Sequence, residues 1–310
     1  MSEVGQGADS EDSAAKPLAG IRILHVTPNH PNSNIRMLKE NQTYTEAGAE
    51  VFALVVGEQR DEDLVDDIKG ATLITYRLPR WRALRAKIAS QALFRSRDFR
   101  TAIERAIAEH SPDIIQAHDM FVAGSALAAR PPIPVDLHEH YPAATEVYRT
   151  AYPTLKRALF GAFQYRRRME RIETRCINKS ALTLTVTEEA TERVINKCPS
   201  ATVATVPNVE RQGFGVASSV ADEPQRADEF SMTYVGSFEN HRGLDTVVRA
   251  VALMKNPTLK VELIGARDSD YVRWLRDEIV RLNIGDSVVL RKWIPRDEES
   301  RALASADLAL

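Results

Sequence analysis

The chain has 310 residues, enough for two domains of ordinary size, and its formal net charge at pH 7 is −2. With 44% hydrophobic and 27% charged residues it has the composition of a globular protein, and this charge gives no overall attraction to nucleic acid. We therefore expect no nucleic-acid partner.

The ends and the cysteines add further expectations. Residues 1–16 are small, polar and acidic without an apolar core, so we expect a disordered tail and not a signal peptide. No apolar run approaches the length of a membrane span. Cys176 and Cys198 lie far apart without metal-type spacing, which indicates reduced thiols in a cytoplasmic protein.

Residues 17–207 are predicted to form a first domain in which strands and helices alternate. The predicted strands are 21–27, 51–56, 72–77, 113–117, 134–137, 182–186 and 203–206. The predicted helices are 35–47, 81–110 with a break near 96–98, 121–130, 153–178 and 188–196. This alternation predicts a parallel sheet with helices on both faces.

Residues 208–230 lack periodicity and are interpreted as a linker, after which the alternation restarts in a second domain, 231–310. The predicted strands there are 232–235, 259–264 and 288–290, and the predicted helices are 244–254, 271–282 and 297–304. The last residues, Asp307 to Leu310, resemble the start of another strand. We therefore expect the second domain to be incomplete.

A glycine turn follows the first strand of the second domain. Gly236 ends that strand, and Arg242 and Gly243 lead into a helix with an apolar face. A strand, a glycine turn and a helix N-terminus together can bind an anion, and the Arg242 guanidinium suits phosphate oxygens. The alternative is that Gly236 only makes a tight turn and that Arg242 is a solvated charge.

Histidines follow two strands of the first domain. His118 and Asp119 come after the strand 113–117, and His138 and Glu139 come after the strand 134–137. Ligands in parallel sheets bind at the carboxyl ends of strands, so these residues are candidates for a ligand site. The alternative is that each histidine caps its strand. The run from His138 to His140 lacks the helical spacing of metal ligands, so no metal is expected.

Several segments, in order, resemble the retaining glycosyltransferases of family 4, which have the GT-B fold. Asp113-Ile-Ile-Gln-Ala-His118-Asp119 is similar to the family's D-hh-H-x-H-[DE] element, in which h is apolar, and Val135-Asp-Leu-His138-Glu139 to its next strand. Tyr234-Val-Gly236 through Arg242-Gly243-Leu-Asp245 is similar to its donor-phosphate loop. The remaining matching segments are Thr185-Val-Thr187, Val206-Pro207-Asn208-Val209, Leu263-Ile-Gly265, 288–294 and Ala304-Ser-Ala-Asp307. The resemblance runs from about Ile21 to the last residue, and it lies in the order and spacing of these segments.

This resemblance implies two Rossmann-like, doubly wound domains that face one cleft. It implies transfer of a sugar, with retention, from a nucleotide-diphosphate sugar to a hydroxyl group of a saccharide or lipid-linked acceptor, without a bound metal. His118 would contact the transferring sugar. The implied nucleotide-binding residues are Gly236, Ser237, Arg242, Gly243 and Gly265. The implied substrate-binding residues are Asn29, Asn34, Asp119, His138 and Glu139.

The chain departs from the family pattern in three places. The first loop, Asn29 to Asn34, lacks the usual paired glycines, and Ser237 stands where the family has an arginine. The family's element with two glutamates would lie beyond Leu310. The chain as given is therefore expected to be inactive, and an inactive fragment or binding module of this fold is the alternative function. A nucleotide-sugar epimerase is another, with Glu139 as its acid or base.

Two helical segments of the first domain are rich in basic residues. The first contains Arg80, Arg82, Arg85, Lys87, Arg95 and Arg97, interleaved with Trp81, Leu84, Phe94 and Phe99. The second contains Arg166, Arg167, Arg168, Arg171 and Arg175. A basic amphipathic surface can contact anionic lipid at the inner face of a membrane. A solvated helix face above buried aromatic residues is the alternative.

Overall fold

A computed structural model describes residues 16–28, 34–57, 68–150, 166–210 and 229–310. The predicted tail up to residue 15, Asn29 and most of the predicted linker lie outside these ranges. The chain divides into two compact units. The described residues of the first unit are 16–28, 34–57, 68–146 and 166–208, and those of the second are 147–150, 209–210 and 229–310.

A parallel sheet of seven strands forms the centre of the first unit. Its strands are β1 (Arg22–Val26), β2 (Glu50–Gly57), β3 (Thr72–Arg77), β4 (Ile114–His118), β5 (Pro134–Leu137), β6 (Leu182–Thr185) and β7 (Val203–Thr205). Their spatial order is β3-β2-β1-β4-β5-β6-β7, and all neighbouring strands are parallel. This is the order of a Rossmann-like sheet with a further strand, and it reverses direction between β1 and β4.

Helices connect these strands. They are α1 (Ile35–Glu46), α2 (Arg80–Leu93), α3 (Arg97–His110), α4 (Met120–Ala126), α5 (Tyr141–Thr150), α6 (Arg166–Lys179) and α7 (Glu188–Lys197). Local chemistry sets several of their starts: the side chains of Asn34, Ser96 and Thr187 accept hydrogen bonds from backbone N–H groups at the N-termini of α1, α3 and α7. The predicted break in the segment 81–110 is confirmed, because Phe94 adopts a left-handed conformation after α2.

Two helices differ from the prediction. The segment 121–130 was expected to be helical throughout, but α4 ends at Ala126. Pro131 and Pro132 follow closely, and a proline disfavours helical geometry at the residue before it. Helix α5 was not predicted. Its second residue is Pro142, and proline is tolerated in the first turn of a helix because the N–H it lacks would have no partner there.

The core of the first unit lies on both sides of the sheet. Leu24, Ile115 and Val135, which the strand register places on one face, are fully buried. Ile23 and Val51, on the opposite face, are buried in a smaller cluster. A sheet covered on both faces in this way is typical of α/β proteins. The strands that carry the histidines are therefore held rigidly.

The second unit has a smaller parallel sheet. Its strands are β8 (Phe230–Val235), β9 (Leu259–Ala266), β10 (Val288–Lys292) and β11 (Leu308–Ala309), in the order β10-β9-β8-β11. Its helices are α8 (Leu244–Met254), α9 (Asp270–Arg281) and α10 (Arg296–Ala304). The strand predicted at the last residues is confirmed, since β11 pairs in parallel with β8.

Two simpler expectations concern membrane spans and disulfides. No helix in the described part of the chain is long and apolar enough to cross a bilayer. Cys176 and Cys198 are both buried and neither forms a disulfide.

Gly265 does not end a strand, as the sequence had indicated, but lies inside β9. Its φ is +124°, and a Cβ at this position would lie 1.9 Å from the carbonyl oxygen of Gly236. The Gly236 N–H donates to the carbonyl of Ile264 at 3.0 Å, so the end of β8 packs directly on β9 here. Glycine at 265 is thus needed for strand packing as well as for the backbone conformation.

We predict that Gly265→Ala destabilises the second unit by at least about 1–3 kcal/mol, because the added methyl group collides with backbone and not with a movable side chain. The measurement is hydrogen exchange of the β8 and β9 amides under native conditions.

Gly285→Ala is the matched control, since nothing lies within 4 Å of its added Cβ. Equal protection of the β9 amides in the two variants would contradict the packing role of Gly265.

Candidate active site

The polar cluster of the first unit lies where its sheet changes direction. His25 is on β1, His118 ends β4, and Asp136 is on β5. All three are fully buried. The carboxyl ends of strands at such a switch point are the usual ligand-binding position of doubly wound sheets.

An ion pair between Arg36 and Asp136 lies at the centre of this cluster. Asn34 caps α1, with its side chain 3.1 Å from the Met37 nitrogen, and this places Arg36 in the first turn. The guanidinium donates two hydrogen bonds to Asp136, from Nε to Oδ2 at 2.7 Å and from Nη2 to Oδ1 at 3.0 Å. A third donor, Nη1, bonds the carbonyl of Val206 at 2.7 Å. This planar pairing joins α1, β5 and the segment after β7.

Three imidazole rings extend from Asp136 into the unit. Nε2 of His138 is 3.0 Å from Oδ2 of Asp136. Nδ1 of His118 is 3.2 Å from Nε2 of His138 and 3.5 Å from Oδ2 of Asp136. The other nitrogen of His118, Nε2, shares a hydrogen bond of 2.7 Å with Nδ1 of His25. Both ring nitrogens of His118 are therefore engaged within the protein.

Asp136 also decides which of these rings carries charge. Burial by itself would raise the pKa of the Asp136 carboxyl, but hydrogen bonds from His118, His138 and Arg36 outweigh it and hold that pKa well below its ordinary value. Burial also opposes charge on His138, yet its hydrogen bond to Asp136 and the nearby Asp119 carboxylate raise the pKa of His138. Burial lowers the pKa of His118 and of His25. Positive charge is thus favoured on His138 and disfavoured on the two inner rings.

Two carboxyl groups beside the rings have raised pKa values. Burial, followed by repulsion from Asp136, raises the pKa of Glu40 to about 8. Its Oε2 accepts a hydrogen bond of 2.8 Å from Gln116 and lies 3.8 Å from Nε2 of His118. Burial raises the pKa of Asp119 to about 6. Carboxyl groups that hold a proton near neutral pH can act as acids or bases.

The residues predicted from the sequence differ in their access to solvent. The His118 side chain is 0% exposed, whereas that of His138 is 19% exposed. Asp119 is nearly buried and has a φ of +69°, a strained value for a residue other than glycine. Glu139 is exposed at the surface. In this structure the accessible imidazole of the cluster is His138, and His118 lies behind it.

Among the residues that the structure describes, two sets of three side chains have ligand atoms close enough to hold a metal ion. They are His25, Glu40 and His118, and His118, Asp136 and His138, each with ligand atoms within 4.8 Å of one another. In the second set, the Arg36 guanidinium already binds both oxygens of Asp136. A cation there would displace Arg36 and face its charge, so that set does not favour a metal.

The loop that was predicted to bind an anion follows β8 in the second unit. A 3₁₀ turn, Asn240–Arg242, leads through Gly243, with a φ of +74°, into α8. Gly243 is the N-cap residue of α8 and has no side chain with which to cap it, and the Arg242 side chain is exposed. In the first turn, the Asp245 N–H donates a hydrogen bond of 3.2 Å to the Tyr271 hydroxyl. Ser237 is exposed too, and its carbonyl accepts a hydrogen bond of 2.9 Å from the Tyr234 hydroxyl. An exposed cation thus lies beside the positive end of a helix dipole, a combination that suits an anion.

A second cation follows the neighbouring strand. Arg267 comes directly after β9, and its guanidinium carbon lies 5.2 Å from the ring centre of Trp293, which follows β10. Trp293 is 45% exposed, so this ring and its cation form a surface beside the strand ends. An exposed tryptophan with a stacked arginine is suited to stacking on a planar ring of a ligand.

The chain belongs to the glycosyl transferase 4-like family. Residues 35–209, more than half of its length, match the Glycosyl transferase 4-like domain. This match covers α1 and all of the polar cluster except His25. No curated protein matches the sequence.

Solved structures support the same fold at low sequence identity. Sucrose-phosphate synthase from Thermosynechococcus elongatus is similar with a TM-score of 0.71 and 16% identity, over 93% of this chain and 74% of that chain. Anabaena HepE, in complex with UDP and glucose, is similar with a TM-score of 0.61 and 14% identity, over 93% of this chain and 73% of HepE. A Listeria monocytogenes protein assigned as a UDP-N-acetylglucosamine 2-epimerase is similar with a TM-score of 0.52 and 12% identity, over 94% of this chain and 74% of that protein. The fold is therefore the α/β fold of the GT-B glycosyltransferases.

The sequence did not identify four residues of the cluster: His25, Arg36, Glu40 and Asp136. His25 and Asp136 lie within apolar strands, and a polar residue in a buried strand needs a partner. That signal could have selected both residues. Arg36 and Glu40 are spaced four apart on a helix, which is also the pattern of an ordinary surface pair, so nothing in the sequence marks them as buried.

We predict that Asp136→Asn destabilises the first unit by about 3–5 kcal/mol, because it leaves the buried Arg36 charge without its counter-ion. Glu104→Gln, which breaks an exposed pair with Arg100, should leave stability nearly unchanged. Urea titration measures the free energy of unfolding of both variants, and hydrogen exchange of the β1 and β4 amides measures the local effect.

Acid sensitivity gives an independent check of the same pair. The pKa of Asp136 is lowered in the folded protein, so its stabilising contribution is present above the unfolded pKa of about 4 and is lost as pH falls below it. Asp136→Asn should lack this loss. An unchanged acid transition in the variant would contradict the assignment.

Proposed function

We propose that the protein is a retaining glycosyltransferase that moves a sugar from a nucleotide-diphosphate sugar to a hydroxyl group of a saccharide or lipid-linked acceptor, in glycan or glycolipid biosynthesis. The observation that carries the proposal is the glycine turn after β8, in which Arg242 is exposed beside the N-terminus of α8. Membership of the glycosyl transferase 4-like family supports it. So does the likeness to HepE, a protein solved with UDP and glucose.

The loop after β8 would bind the diphosphate. Backbone N–H groups of Ser237, Gly243 and Leu244 would supply donors, and Arg242 would supply a full positive charge. When the glycosidic bond breaks, negative charge grows on the leaving diphosphate. Fixed positive groups stabilise that charge without reorganising, which is electrostatic catalysis. Gly265 contributes by holding the end of β8, where this loop begins, against β9.

The polar cluster of the first unit would bind sugar hydroxyl groups. His138 is its accessible ring, and Asp119 lies next to it, with Nδ1 of His138 3.7 Å from Oδ2 of Asp119. We propose that His118 positions His138 through their shared hydrogen bond. In this role it aligns the sugar without attacking it. Asn34 and Glu139 are further candidates for hydroxyl contacts, although the Asn34 side chain also caps α1.

We propose that this reaction uses no resident metal. The Arg36 guanidinium already supplies the positive charge that Asp136 requires. Stabilisation of the leaving group is assigned to Arg242 and the helix N-terminus, which need no metal.

A second candidate is a nucleotide-sugar epimerase, and one observation favours it. An epimerase needs groups that take up and release protons, and the raised pKa values of Glu40, about 8, and Asp119, about 6, meet that need. The likeness to a protein assigned as an epimerase is consistent with this candidate.

The proposed function is tested by incubating the full-length gene product with UDP- and GDP-sugars and following the products by NMR. A glycosyltransferase releases the nucleoside diphosphate and transfers the sugar, or hydrolyses it slowly when no acceptor is present. An epimerase instead yields a new nucleotide sugar with no release of diphosphate. Binding without either reaction would identify a binding module and contradict the proposal.

We predict that Arg242→Ala weakens binding of a nucleoside diphosphate by tenfold to over a hundredfold, since a charge-assisted contact contributes about 1.5–3 kcal/mol. Calorimetric titration with UDP and GDP measures the affinity. Arg276→Ala, at an exposed position on α9, is the control and should bind like the parent protein. Equal affinity in both variants would make Arg242 a surface charge only.

A further inference from the structure

Helix α2 carries a stripe of large apolar side chains that face solvent. Trp81, Leu84, Ile88 and Leu93 are 63%, 60%, 56% and 51% exposed. The first three follow a spacing of three and four residues, which places them on one side of the helix. By contrast, Phe94 and Phe99, which the sequence grouped with Trp81, are buried in the core. The stripe is therefore not the outer edge of a buried aromatic cluster.

Cations accompany this stripe along the helix. Arg80, Arg85 and Lys87 are exposed among the apolar residues. The Arg85 guanidinium carbon lies 5.5 Å from the ring centre of Trp81. Long basic side chains beside exposed apolar ones are typical of helices that lie at the boundary between lipid headgroups and acyl chains.

A basic groove adjoins the C-terminal end of the stripe. It has a volume of about 1130 Å³, and it lies between the end of α2, α3, α4 and α6. Seven cations line it: Arg95, Arg97, Arg100, Arg168, Arg171, Arg175 and Lys179. The single carboxylate among the lining residues, Glu104, is paired with Arg100 at 2.9 Å. Leu93 belongs to both the stripe and the groove.

The positive charge of this groove is local, because the whole chain has a formal net charge of −2. Within the described part of the chain, no carboxylate lies within ion-pair distance of Arg95, Arg97, Arg171 or Arg175. Cations that are not neutralised by their own protein attract an anionic surface. Because these cations also repel one another, binding of an anionic surface relieves that repulsion.

We propose that the stripe and the groove together, here called the basic-apolar surface, dock on a bilayer that contains anionic lipid. Trp81, Leu84 and Ile88 enter the boundary between headgroups and acyl chains, and the groove cations bind lipid phosphates. An acidic protein would match the cations but would leave an extended stripe of apolar side chains to be covered separately. A bilayer matches both features at once.

This inference goes beyond the proposed function, because it concerns where the protein resides and holds whichever sugar it transfers. It also limits the setting of the reaction, since a protein held at a membrane meets acceptors in that membrane. Its test needs no sugar substrate, so its failure would leave the proposed function intact.

The experiment is co-sedimentation of the full chain with vesicles of phosphatidylcholine alone or with 30% phosphatidylglycerol. We expect at least tenfold stronger partitioning onto the anionic vesicles, and a loss of that binding in 1 M NaCl. The triple variant W81S/L84S/I88S and the double variant R171E/R175E should each lose tenfold or more. Circular dichroism and thermal unfolding establish that both variants are folded.

Two controls at exposed positions of the second unit match these changes. Leu253, on α8, is 82% exposed, and Arg276, on α9, is exposed, so L253S and R276E should bind as the parent protein does. No preference for anionic vesicles, or equal losses in the controls, would overturn the proposal. A loss with R171E/R175E alone, and none with W81S/L84S/I88S, would identify a site for a soluble or protein-borne anion and would also overturn it.

Discussion

The buried ion pair between Arg36 and Asp136 is the interaction on which the first unit depends. Two charges removed from water are costly unless every hydrogen-bonding group around them is used. Here Arg36 donates two hydrogen bonds to Asp136 and one to the carbonyl of Val206, and Asp136 also accepts a hydrogen bond from His138. The pair thus holds α1, β5 and the segment after β7 in one arrangement, at the position where the strand order changes direction.

The same pair sets the chemistry available at the strand ends. The lowered pKa of Asp136 keeps its carboxylate ionised and favours charge on His138, the ring that reaches solvent, while burial lowers the pKa of His118. We propose that this fixed set of donors and acceptors binds sugar hydroxyl groups. The second unit supplies a different kind of site, in which Arg242 and a helix N-terminus offer positive charge without a buried network. The two kinds of site, a polar cluster in the first unit and a cationic loop in the second, match the two needs of the proposed glycosyl transfer. Hydroxyl groups must be aligned, and a diphosphate must be stabilised as it leaves.

Much of the fold could be predicted because its periodicity is strong. The bounds of β3, Thr72–Arg77, and of α8, Leu244–Met254, agree with the prediction residue for residue. The cluster could be predicted only in part, because Arg36 and Asp136 are 100 residues apart and pairing at that separation leaves no local pattern. Phe94 and Trp81 show the same limit: both occur in one basic helical segment, yet one is buried and the other faces solvent. Periodicity gives the apolar side of a helix, but only tertiary packing decides which apolar residues are covered.

Whether Asp136 sets the protonation of the neighbouring rings is measured by ¹⁵N NMR of the histidine side chains. The rings are assigned with single His→Gln variants and followed from pH 5 to pH 8.5. We expect His138 to titrate above the ordinary histidine pKa of about 6.5, and His118 and His25 to titrate below it. Titration of His138 below that value, or of His118 at it like an exposed imidazole, would show that Asp136 and burial do not divide the charge among these rings.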